Sequence, residues 1–233
     1  MKKNYGFTMA EVLITLGVIG VVAAITMPIL ISKYQKMVWV DQLKANYSLL
    51  NQGFQKMMAD DGVDNLADTE VWKPIVYNDR DCSASTLTDS CDEFYSNLKN
   101  YFEIISIEHN VSKNYRKNGI SDNTLTRTGT VLTLSNGAQI FDSSFYRNGY
   151  VYITIDINGD KKPNTNGRDI FHFRNGSNMQ PTGIFLGNGH CDGEYSCWKT
   201  SPTYISNGCD KNYTGSWNGC AGRIIEEGWK MNY

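Results

Sequence analysis

The sequence predicts an α+β fold in which a long N-terminal helix packs on an antiparallel β-sheet and disulfides staple the C-terminal region. Three observations support this prediction. An uncharged apolar run over Val12–Ile31 leads into a stripe of apolar residues spaced three and four apart, which is a helical pattern. Further along, an Asn-Gly turn separates two runs of β-forming residues, which is a hairpin pattern. All six cysteines lie beyond these helical residues.

The N-terminal apolar segment is long enough to cross a membrane. Phe7–Ile31 comprises 25 residues, which span about 37 Å as an α-helix at roughly 1.5 Å per residue. The hydrocarbon core of a bilayer is about 30 Å thick, so the helix crosses it with some tilt. Lys2 and Lys3 precede the segment, and the positive-inside rule therefore leaves the N-terminus in the cytoplasm. The sequence predicts a single-pass membrane protein whose C-terminal part is exported.

Past Ile31 the helix is predicted to continue to about residue 60. Apolar residues recur at helical spacing and would form one buried stripe. The stripe consists of Met37, Val40, Leu43, Tyr47, Leu50, Phe54 and Met57. Asp60, Asp61 and Gly62 end the pattern, and Gly62 suits a C-terminal cap. One part of this helix is therefore expected in the membrane and the other part on an exported domain.

A short helix and irregular segments are predicted before the sheet. Residues 63–88 are predicted to be irregular. A helix capped by Asp89 or Ser90 comes next. Its apolar side consists of Phe94, Leu98, Phe102 and Ile105. The polar stretch over 109–128 is predicted as a loop.

About four strands are predicted in the second half of the chain, as an antiparallel meander. Thr130–Leu134 and Gln139–Phe141 flank Asn136-Gly137, which is a strong hairpin signal. Tyr150–Ile157 and Asp169–Phe173 are the next two strand candidates. The apolar stripe of the long helix would bury against this sheet.

The six cysteines indicate an oxidising compartment, in which disulfides persist. They are Cys82, Cys91, Cys191, Cys197, Cys209 and Cys220. Sequence alone leaves the connectivity open; Cys82 with Cys91 is the best local pair, and the other four are expected to form two crosslinks in the tail. A zinc site made of those four and His190 is the alternative. Disulfides are preferred because no two of them have the C-x₂-C spacing that zinc sites favour.

The loop over Asp156–Asp169 is a candidate calcium site. Asp156, Asn158 and Asp160 place oxygen ligands at alternating positions, as calcium loops do, and Asp169 closes the loop. The loop departs from the EF-hand pattern, because a lysine and a glycine stand where its glycine and its bidentate acid should be. Asn, Asp, Gly and Pro are also the residues that turns need. A plain strand connection is therefore favoured, and calcium is the alternative; no other cofactor is predicted.

Composition and motifs exclude several classes of function. The chain has 22 basic and 24 acidic residues, and removing Lys2 and Lys3 leaves 22 − 2 = 20 basic residues. This mildly acidic balance offers no general surface for nucleic acid. The three histidines are scattered, and G-x-S-x-G, P-loop and H-E-x-x-H motifs are absent. Catalysis is not predicted, and His172 is interpreted as a strand residue.

Aromatic residues are concentrated in the C-terminal tail. They are Trp198, Tyr204, Tyr213, Trp217, Trp229 and Tyr233. A stacking platform for sugars or single-stranded DNA is one interpretation. Packing at the domain edge or against a neighbouring subunit is preferred. Residues 223–231 are predicted as a last strand or closing segment in which Ile225 and Trp229 face inward.

The N-terminal segment resembles that of type IV prepilins and type II secretion pseudopilins. The resemblance rests on Gly6 to Ile14, which read GFTMAEVLI, and on Pro28. It implies a pilin-like fold and cleavage after Gly6 by a prepilin peptidase that also methylates the amine of Phe7. It further implies that Glu11 pairs with the N-terminal amine of a neighbouring subunit during fibre assembly.

The physical chemistry of this helix agrees with the resemblance. An acid inside a membrane helix is disfavoured by about 3 kcal/mol, so Glu11 is expected to have a partner or a function. An interfacial acid stabilised by the helix N-terminus is the alternative. Gly17, Gly20 and Pro28 weaken the helix. The resemblance implies that this stretch curves or partly melts during assembly, whereas ordinary membrane-helix composition is the other explanation.

The resemblance divides the chain into four parts. These are a leader (1–6), a transmembrane and assembly helix (7–31), its amphipathic continuation (32–61) and an exported β-rich pilin domain (62–233). The implied protein is a structural subunit, not an enzyme. It would be a type II secretion pseudopilin or a minor pilin of a type IV pilus-like fibre, in preference to a major pilin.

Partners and location follow from the same resemblance. The partners are a prepilin peptidase and methyltransferase, other pilin or pseudopilin subunits and an inner-membrane assembly platform. The N-terminus would be cytoplasmic in the bacterial inner membrane, and the domain periplasmic or in an extracellular fibre. The alternative from another class is a signal-anchored, non-polymerising exported domain that binds sugar or calcium.

Overall fold

A computed structural model of the 233-residue chain describes most of the sequence. The described residues are 6, 8–64, 66–76, 82, 89–120, 122–142, 146–147, 150–174, 185–186, 209 and 219–233. They divide into two units between Val38 and Trp39, and each unit is described by itself.

The long N-terminal helix, α1, covers Met9–Asp61 and confirms the prediction of a helix of this length. It contains one stretch that is long and apolar enough to cross a membrane. The helix ends where the sequence predicts, because Gly62 takes a left-handed conformation with φ 64°. The Gly62 N–H donates to Ala59 O at 3.3 Å and the Val63 N–H to Met58 O at 3.0 Å. These two bonds form a Schellman cap.

The second half of α1 supplies one side of the core of the unit that begins at Trp39. Its buried residues are Val40, Leu43, Asn46, Leu50, Gly53, Phe54, Met57 and Met58. Most of the predicted stripe is therefore buried. Met37 is exposed, contrary to the prediction, and Tyr47 is only partly buried. Asn46 and Gly53 are buried although the apolar pattern does not include them.

Among the described residues, four helical elements besides α1 precede the sheet or close the chain. They are a 3-10 helix Leu66–Asp68, α2 Lys73–Val76, α3 Asp89–Leu98 and α4 Cys220–Glu226. The prediction that α3 extends its apolar side to Ile105 was wrong. Ile105 lies in the following strand and is exposed.

The described strands are joined in an antiparallel sheet. They are β1 Ile104–Arg116, β2 Thr124–Leu134, β3 Gln139–Asp142, β4 Tyr146–Arg147, β5 Tyr150–Asp156, β6 Ile170–Arg174 and β7 Phe185–Leu186. Their order is β1-β2-β3-β5-β6-β7, and β4 pairs with β5. The predicted β2–β3 hairpin is confirmed: Thr133 pairs with Gln139, and Gly137 has φ 84° in the turn.

The predicted loop over 109–128 was wrong, because most of it is strand. β1 and β2 pair over most of this stretch, and their outer residues carry polar side chains. Ser112 Oγ lies 2.8 Å from Thr128 Oγ1, and Thr126 Oγ1 donates to Asn114 Oδ1 at 2.5 Å. Every second residue of β1 is partly buried or buried here, but His109 and Lys113 occupy two of these positions. The alternation of apolar and polar residues that identifies a strand is therefore interrupted.

Both faces of the sheet carry apolar packing. Leu132, Ile140 and Phe171 belong to the main core, which also contains the buried side of α1. Neighbouring positions on the same strands, Val131 and Phe141, belong to a second cluster. That cluster consists of Tyr115, Val131, Phe141 and Ile170, with Val111 and Leu125 against it. Alternate strand residues point to opposite faces, which places the two clusters on the two sides of the sheet.

Two disulfides are present among the described residues. Cys82 and Cys91, the local pair favoured by the sequence, have Cα atoms 5.5 Å apart. Cys209 and Cys220 form the other, at 5.4 Å. Both separations are ordinary for disulfides. Cys191 and Cys197, like His190 of the alternative zinc site, lie outside the described residues.

The C-terminal segment is a helix and a closing turn, so the strand alternative for residues 223–231 was wrong. Arg223 Nε donates to Glu227 Oε1 at 2.7 Å, one helical turn away, and Arg223 Nη1 donates to Cys209 O at 2.7 Å. Ile224 is buried, while Ile225 and Trp229 pack on the core from partly buried positions. The contact to Glu227 within the helix and the contact to the distant Cys209 together favour the helix over the strand that two adjacent isoleucines indicate.

Candidate functional site

The N-terminal end of α1 is closed by a reciprocal pair of hydrogen bonds between Thr8 and Glu11. The Thr8 N–H and Thr8 Oγ1 each donate to Glu11 Oε2 at 2.8 Å. The Glu11 N–H donates to Thr8 Oγ1 at 3.2 Å. This arrangement is a capping box, which satisfies N–H groups that have no partner inside the helix. Within one subunit, Glu11 is therefore held at the start of the helix by its own chain.

The predicted processing residues, Gly6 and Phe7, directly precede this cap. Gly6 is exposed, and Phe7 lies outside the described residues. Thr8 was not among the predicted site residues, although Thr8-Met9-Ala10-Glu11 has the spacing of a capping box before an apolar run. Thr8 is thus a residue of the site that the sequence could have revealed.

In the rest of the membrane-length segment, the apolar side chains are not packed against other parts of the subunit. From Val12 to Ile31 the large apolar residues are exposed. Its hydroxyl groups are satisfied within the helix: Thr15 Oγ1 donates to Val12 O and Thr26 Oγ1 to Val22 O, both at 2.9 Å. The surface of this segment therefore suits lipid or another apolar helix.

The two glycines of this segment leave open space on its surface. A Cβ placed at Gly17 or Gly20 would have no atom within 4 Å. Pro28 lies inside the helix, as predicted. A proline there removes one backbone hydrogen bond, so the helix is weakest near this position.

The loop proposed as a calcium site joins β5 to β6 and pairs with the end of β1. The Arg116 N–H donates to Asn164 O at 2.8 Å, and the Asn166 N–H donates to Arg116 O at 3.1 Å. These bonds hold the loop against the sheet.

Asp169 organises this loop from a fully buried position. Its side chain is 0% exposed. Its carboxylate accepts the Thr165 N–H at 2.6 Å, the Asn164 N–H at 2.8 Å and Asn158 Nδ2 at 3.3 Å. Burial raises the pKa of Asp169, and the three hydrogen bonds oppose that rise. Asp169 therefore acts as a cap for the turn that contains Asn164 and Thr165.

Asp156 is the more perturbed of the two buried acids. It is 5% exposed and accepts the Asn158 N–H at 3.2 Å. Burial, and then the nearby Asp169, raise the pKa of Asp156 to about 8. Asp156 is thus largely protonated at neutral pH.

The Asn158 amide lies between the two carboxyl groups. One end is 2.8 Å from Asp156 Oδ1 and 3.1 Å from Lys161 O, and the other is 3.3 Å from Asp169 Oδ2. With Asp156 protonated, its O–H donates to Asn158 Oδ1 while Asn158 Nδ2 donates to Asp169. With Asp156 ionised, the amide must turn so that its nitrogen donates to Asp156. In this second orientation the amide nitrogen also donates to Lys161 O.

Asp160, the remaining predicted ligand, is bound elsewhere. Lys113 Nζ donates to Asp160 Oδ1 at 2.8 Å and also contacts Gln139. The hydrogen bond from Lys113 lowers the pKa of Asp160. Asp156, Asn158 and Asp169 are therefore together, whereas the carboxylate of Asp160 is paired with a cation. Over the described ranges, no group of three or more His, Cys, Asp or Glu residues is suited to hold a metal. Calcium stays a prediction.

His172 has the structural role that its strand position indicates. It is buried on β6, with Nδ1 2.9 Å from Thr154 Oγ1 and Nε2 3.0 Å from Asn166 Oδ1. Burial, and then Arg127, lower the pKa of His172 to about 3, so it stays neutral. Both ring nitrogens are occupied by neighbours in the fold.

Comparison with known proteins gives two matches. A model described as the prokaryotic N-terminal methylation motif matches residues 1–27. A family model described as a family of unknown function (DUF6613) matches residues 29–233. No curated protein and no solved structure matches the chain. The first match confirms the resemblance to prepilin-type segments that the sequence indicates.

Proposed function

The chain belongs to the family of unknown function DUF6613 and carries a prokaryotic N-terminal methylation motif, and from this we propose that it polymerises as a pilin-like structural subunit. The fibre is a type II secretion pseudopilus or a related type IV pilus-like filament. The observation that carries the proposal is the methylation motif, which begins an exposed apolar segment over residues 7–31 whose single acid is Glu11. Proteins with this motif are exported structural subunits.

Processing comes first in the proposed mechanism. A prepilin peptidase cleaves after Gly6, and the new amine of Phe7 is methylated. The exposed position of Gly6 supports access by such an enzyme. Because cleavage removes Lys2 and Lys3, the remaining charges at this end are the Phe7 amine and the Glu11 carboxylate. The mature subunit keeps its apolar helix as a membrane anchor.

Pairing between subunits uses these two charges. The capping box satisfies Glu11 in the single subunit, but it leaves the carboxylate charged at a position where charge is disfavoured by about 3 kcal/mol. The Phe7 amine of an adjacent subunit offsets that cost and fixes the register between two helices. Exchange of the Thr8 contact for this amine is the step that commits a subunit to the fibre.

Cohesion comes from the apolar helix surface. Two such helices gain dispersion contacts when they pack, and glycines permit a close approach. The open surface at Gly17 and Gly20 supports this arrangement. Other pilin or pseudopilin subunits and an inner-membrane assembly platform are the proposed partners. The N-terminus is cytoplasmic and the domain is periplasmic, or exposed on the fibre.

The proposal is tested by comparing the full-length protein with Glu11→Gln in native membranes. Chemical crosslinking should give a ladder of multimers for the natural protein. The crosslinked multimers of the variant should be at least about tenfold less abundant, because the buried Phe7 amine loses its charged partner. Asp41→Asn, which neutralises an exposed acid further along α1, is the matched control and should keep the ladder. A normal ladder with Glu11→Gln would refute the pairing. Mature but monomeric natural protein would instead favour the non-polymerising exported binding domain.

A further inference from the structure

The sequence contains four Asn-x-Ser/Thr triplets, which are acceptor sequences for N-linked glycans. They begin at Asn46, Asn110, Asn175 and Asn212. Such acceptors are used only when they lie on the surface of an exported protein. Asn46 and Asn110 lie among the described residues, and the structure shows that they differ in exposure.

Asn46 cannot serve as an acceptor in the folded protein. It is 2% exposed, within the buried side of α1. Its Nδ2 donates to Gln42 O at 2.9 Å, and its Oδ1 accepts Asn136 Nδ2 at 2.9 Å. The amide that would carry a sugar is therefore committed to the contact between α1 and the β2–β3 turn.

Asn110 has the opposite environment. It is exposed on β1, the strand at one end of the sheet order, and Ser112, the hydroxyl residue of its triplet, is exposed as well. Asn110 has φ 57°, a left-handed conformation that asparagine tolerates better than most residues. The pairing of β1 with β2 shifts register between Glu108 and Val111, which is a β-bulge at this residue.

The neighbours of Asn110 hold it outward. His109 Nδ1 lies 3.0 Å from Thr130 Oγ1, and Val111 packs against the second apolar cluster. With the residue on each side anchored on the sheet, the bulge places the Asn110 side chain on the solvent side. The bulge also leaves Asn110 without a paired residue on β2, whereas Glu108 and Val111 on either side of it are paired.

An acidic residue precedes the asparagine by two positions. Glu108–Ser112 has the order acid-x-Asn-x-Ser, and Asp210–Thr214, outside the described residues, has the equivalent order with threonine. Glu108 is exposed beside the acceptor. The carboxylate of Glu108 can form a charge-assisted hydrogen bond with a cationic group of the modifying enzyme, next to the reacting amide.

We propose that Asn110 is an N-glycosylation site. The inference rests on the export that is part of the proposed function, but not on polymerisation. The donor is a polyprenyl-diphosphate-linked glycan, and the catalyst is a membrane-bound oligosaccharyltransferase. Asn110 Nδ2 attacks the anomeric carbon of the donor sugar, so that an N–C bond forms as the C–O bond to the diphosphate breaks. One amide proton passes to a base of the transferase, and the lipid diphosphate leaves.

The test is peptide mass analysis of the full-length protein from native membranes. Tryptic cleavage releases Asn100–Lys113, which contains Asn110 alone of the four acceptors. We expect this peptide to carry the added mass of a glycan, and Asn110→Gln and Ser112→Ala to abolish the addition. Ser112→Thr should keep it, because either hydroxyl completes the triplet. Glu108→Gln should lower the modified fraction at least about twofold, since the contact of one charged hydrogen bond is lost.

Two results would overturn the assignment. One is an Asn100–Lys113 peptide that is wholly unmodified in the natural host, and the other is added mass that persists in Asn110→Gln. The N-terminal peptide of the same digest reports cleavage and methylation at Phe7. A processed N-terminus with an unmodified Asn110 thus rejects only the glycan, whereas a modified Asn110 behind an unprocessed N-terminus rejects only the prepilin pathway.

Discussion

At the scale of single residues, Gly53 shows how a position without an apolar side chain becomes essential to packing. It lies in the interior of α1 among buried residues. A Cβ there would overlap the ring of Phe102, which packs edge to face on Phe54 with ring centroids 5.4 Å apart. The absence of a side chain therefore admits the Phe102 ring to the helix surface.

We expect Gly53→Ala to destabilise the domain by about 1–3 kcal/mol, the usual cost of overpacking a core. Alanine alone would favour the helix by about 0.5–1 kcal/mol, so the clash decides the sign. Thermal unfolding of the full-length protein in detergent measures the effect. Gln52→Ala, at the adjacent exposed position, is the matched control. The pair Gly53→Ala with Phe102→Leu should recover part of the loss, and a Gly53→Ala protein as stable as the natural one would contradict this account.

Glu11 and Asn46 illustrate what single positions reveal in a sequence. The partner of Glu11 within the subunit, Thr8, has a recognisable sequence signal because a capping box is local. The partner of Asn46 does not: Asn136 lies 90 residues away and donates to Asn46 Oδ1 at 2.9 Å. The burial of an amide indicates that a partner exists, but both the burial of Asn46 and its partner are visible only in the folded chain.

At the scale of elements, the buried acids of the β5–β6 loop give the domain a defined dependence on pH. The folded pKa of Asp156 is about 8, against 3.8 as its ordinary value. Between about pH 4 and pH 8 the folded protein keeps a proton that the unfolded chain releases. Stability therefore falls as pH rises through this window, by an amount on the order of a few kcal/mol.

Asp156→Asn should remove this dependence, because asparagine imitates the protonated acid. We expect the melting temperature of the natural protein to fall more steeply than that of the variant between pH 5 and pH 8. The comparison cancels the contribution of His172, whose lowered pKa is common to both proteins. Parallel pH profiles would show that Asp156 is ionised in the fold.

Melting temperatures measured with and without added calcium test whether the β5–β6 loop binds this metal. If calcium binds Asp156, Asn158 and Asp169, it should raise the melting temperature of the natural protein at pH 8, and Asp156→Asn should abolish the rise. Magnesium, which demands a stricter octahedral geometry, is the control ion. No calcium-dependent rise would leave the loop as the strand connection that its turn residues indicate.

The elements that the sequence predicted are those with strong local signals. The periodicity of α1 and the Asn-Gly turn between β2 and β3 need no distant partner to be recognised. β1 was missed because polar residues, His109 and Lys113, occupy two of its partly buried positions and interrupt the apolar period of Val111 and Tyr115. The helix at Cys220–Glu226 was missed because its support, the disulfide and carbonyl contacts to Cys209, is not local.

At the scale of the whole molecule, the sequence indicates the class of protein more firmly than its task. The methylation motif at residues 1–27 and the apolar helix that it begins indicate a pilin-type exported subunit with a membrane anchor, whereas the α+β domain belongs to a family of unknown function. In the described part of the domain, no group of three or more His, Cys, Asp or Glu residues is suited to hold a metal. The proposal of assembly rests instead on the exposed apolar helix and on Glu11.

Cleavage and methylation at Phe7 are the most direct test of the central claim. Intact-mass and N-terminal peptide analysis of the protein from native membranes reads both at once. We expect a mature chain that begins at Phe7 and carries one added methyl group. A chain that still begins at Met1, from cells that contain an active prepilin peptidase, would contradict it.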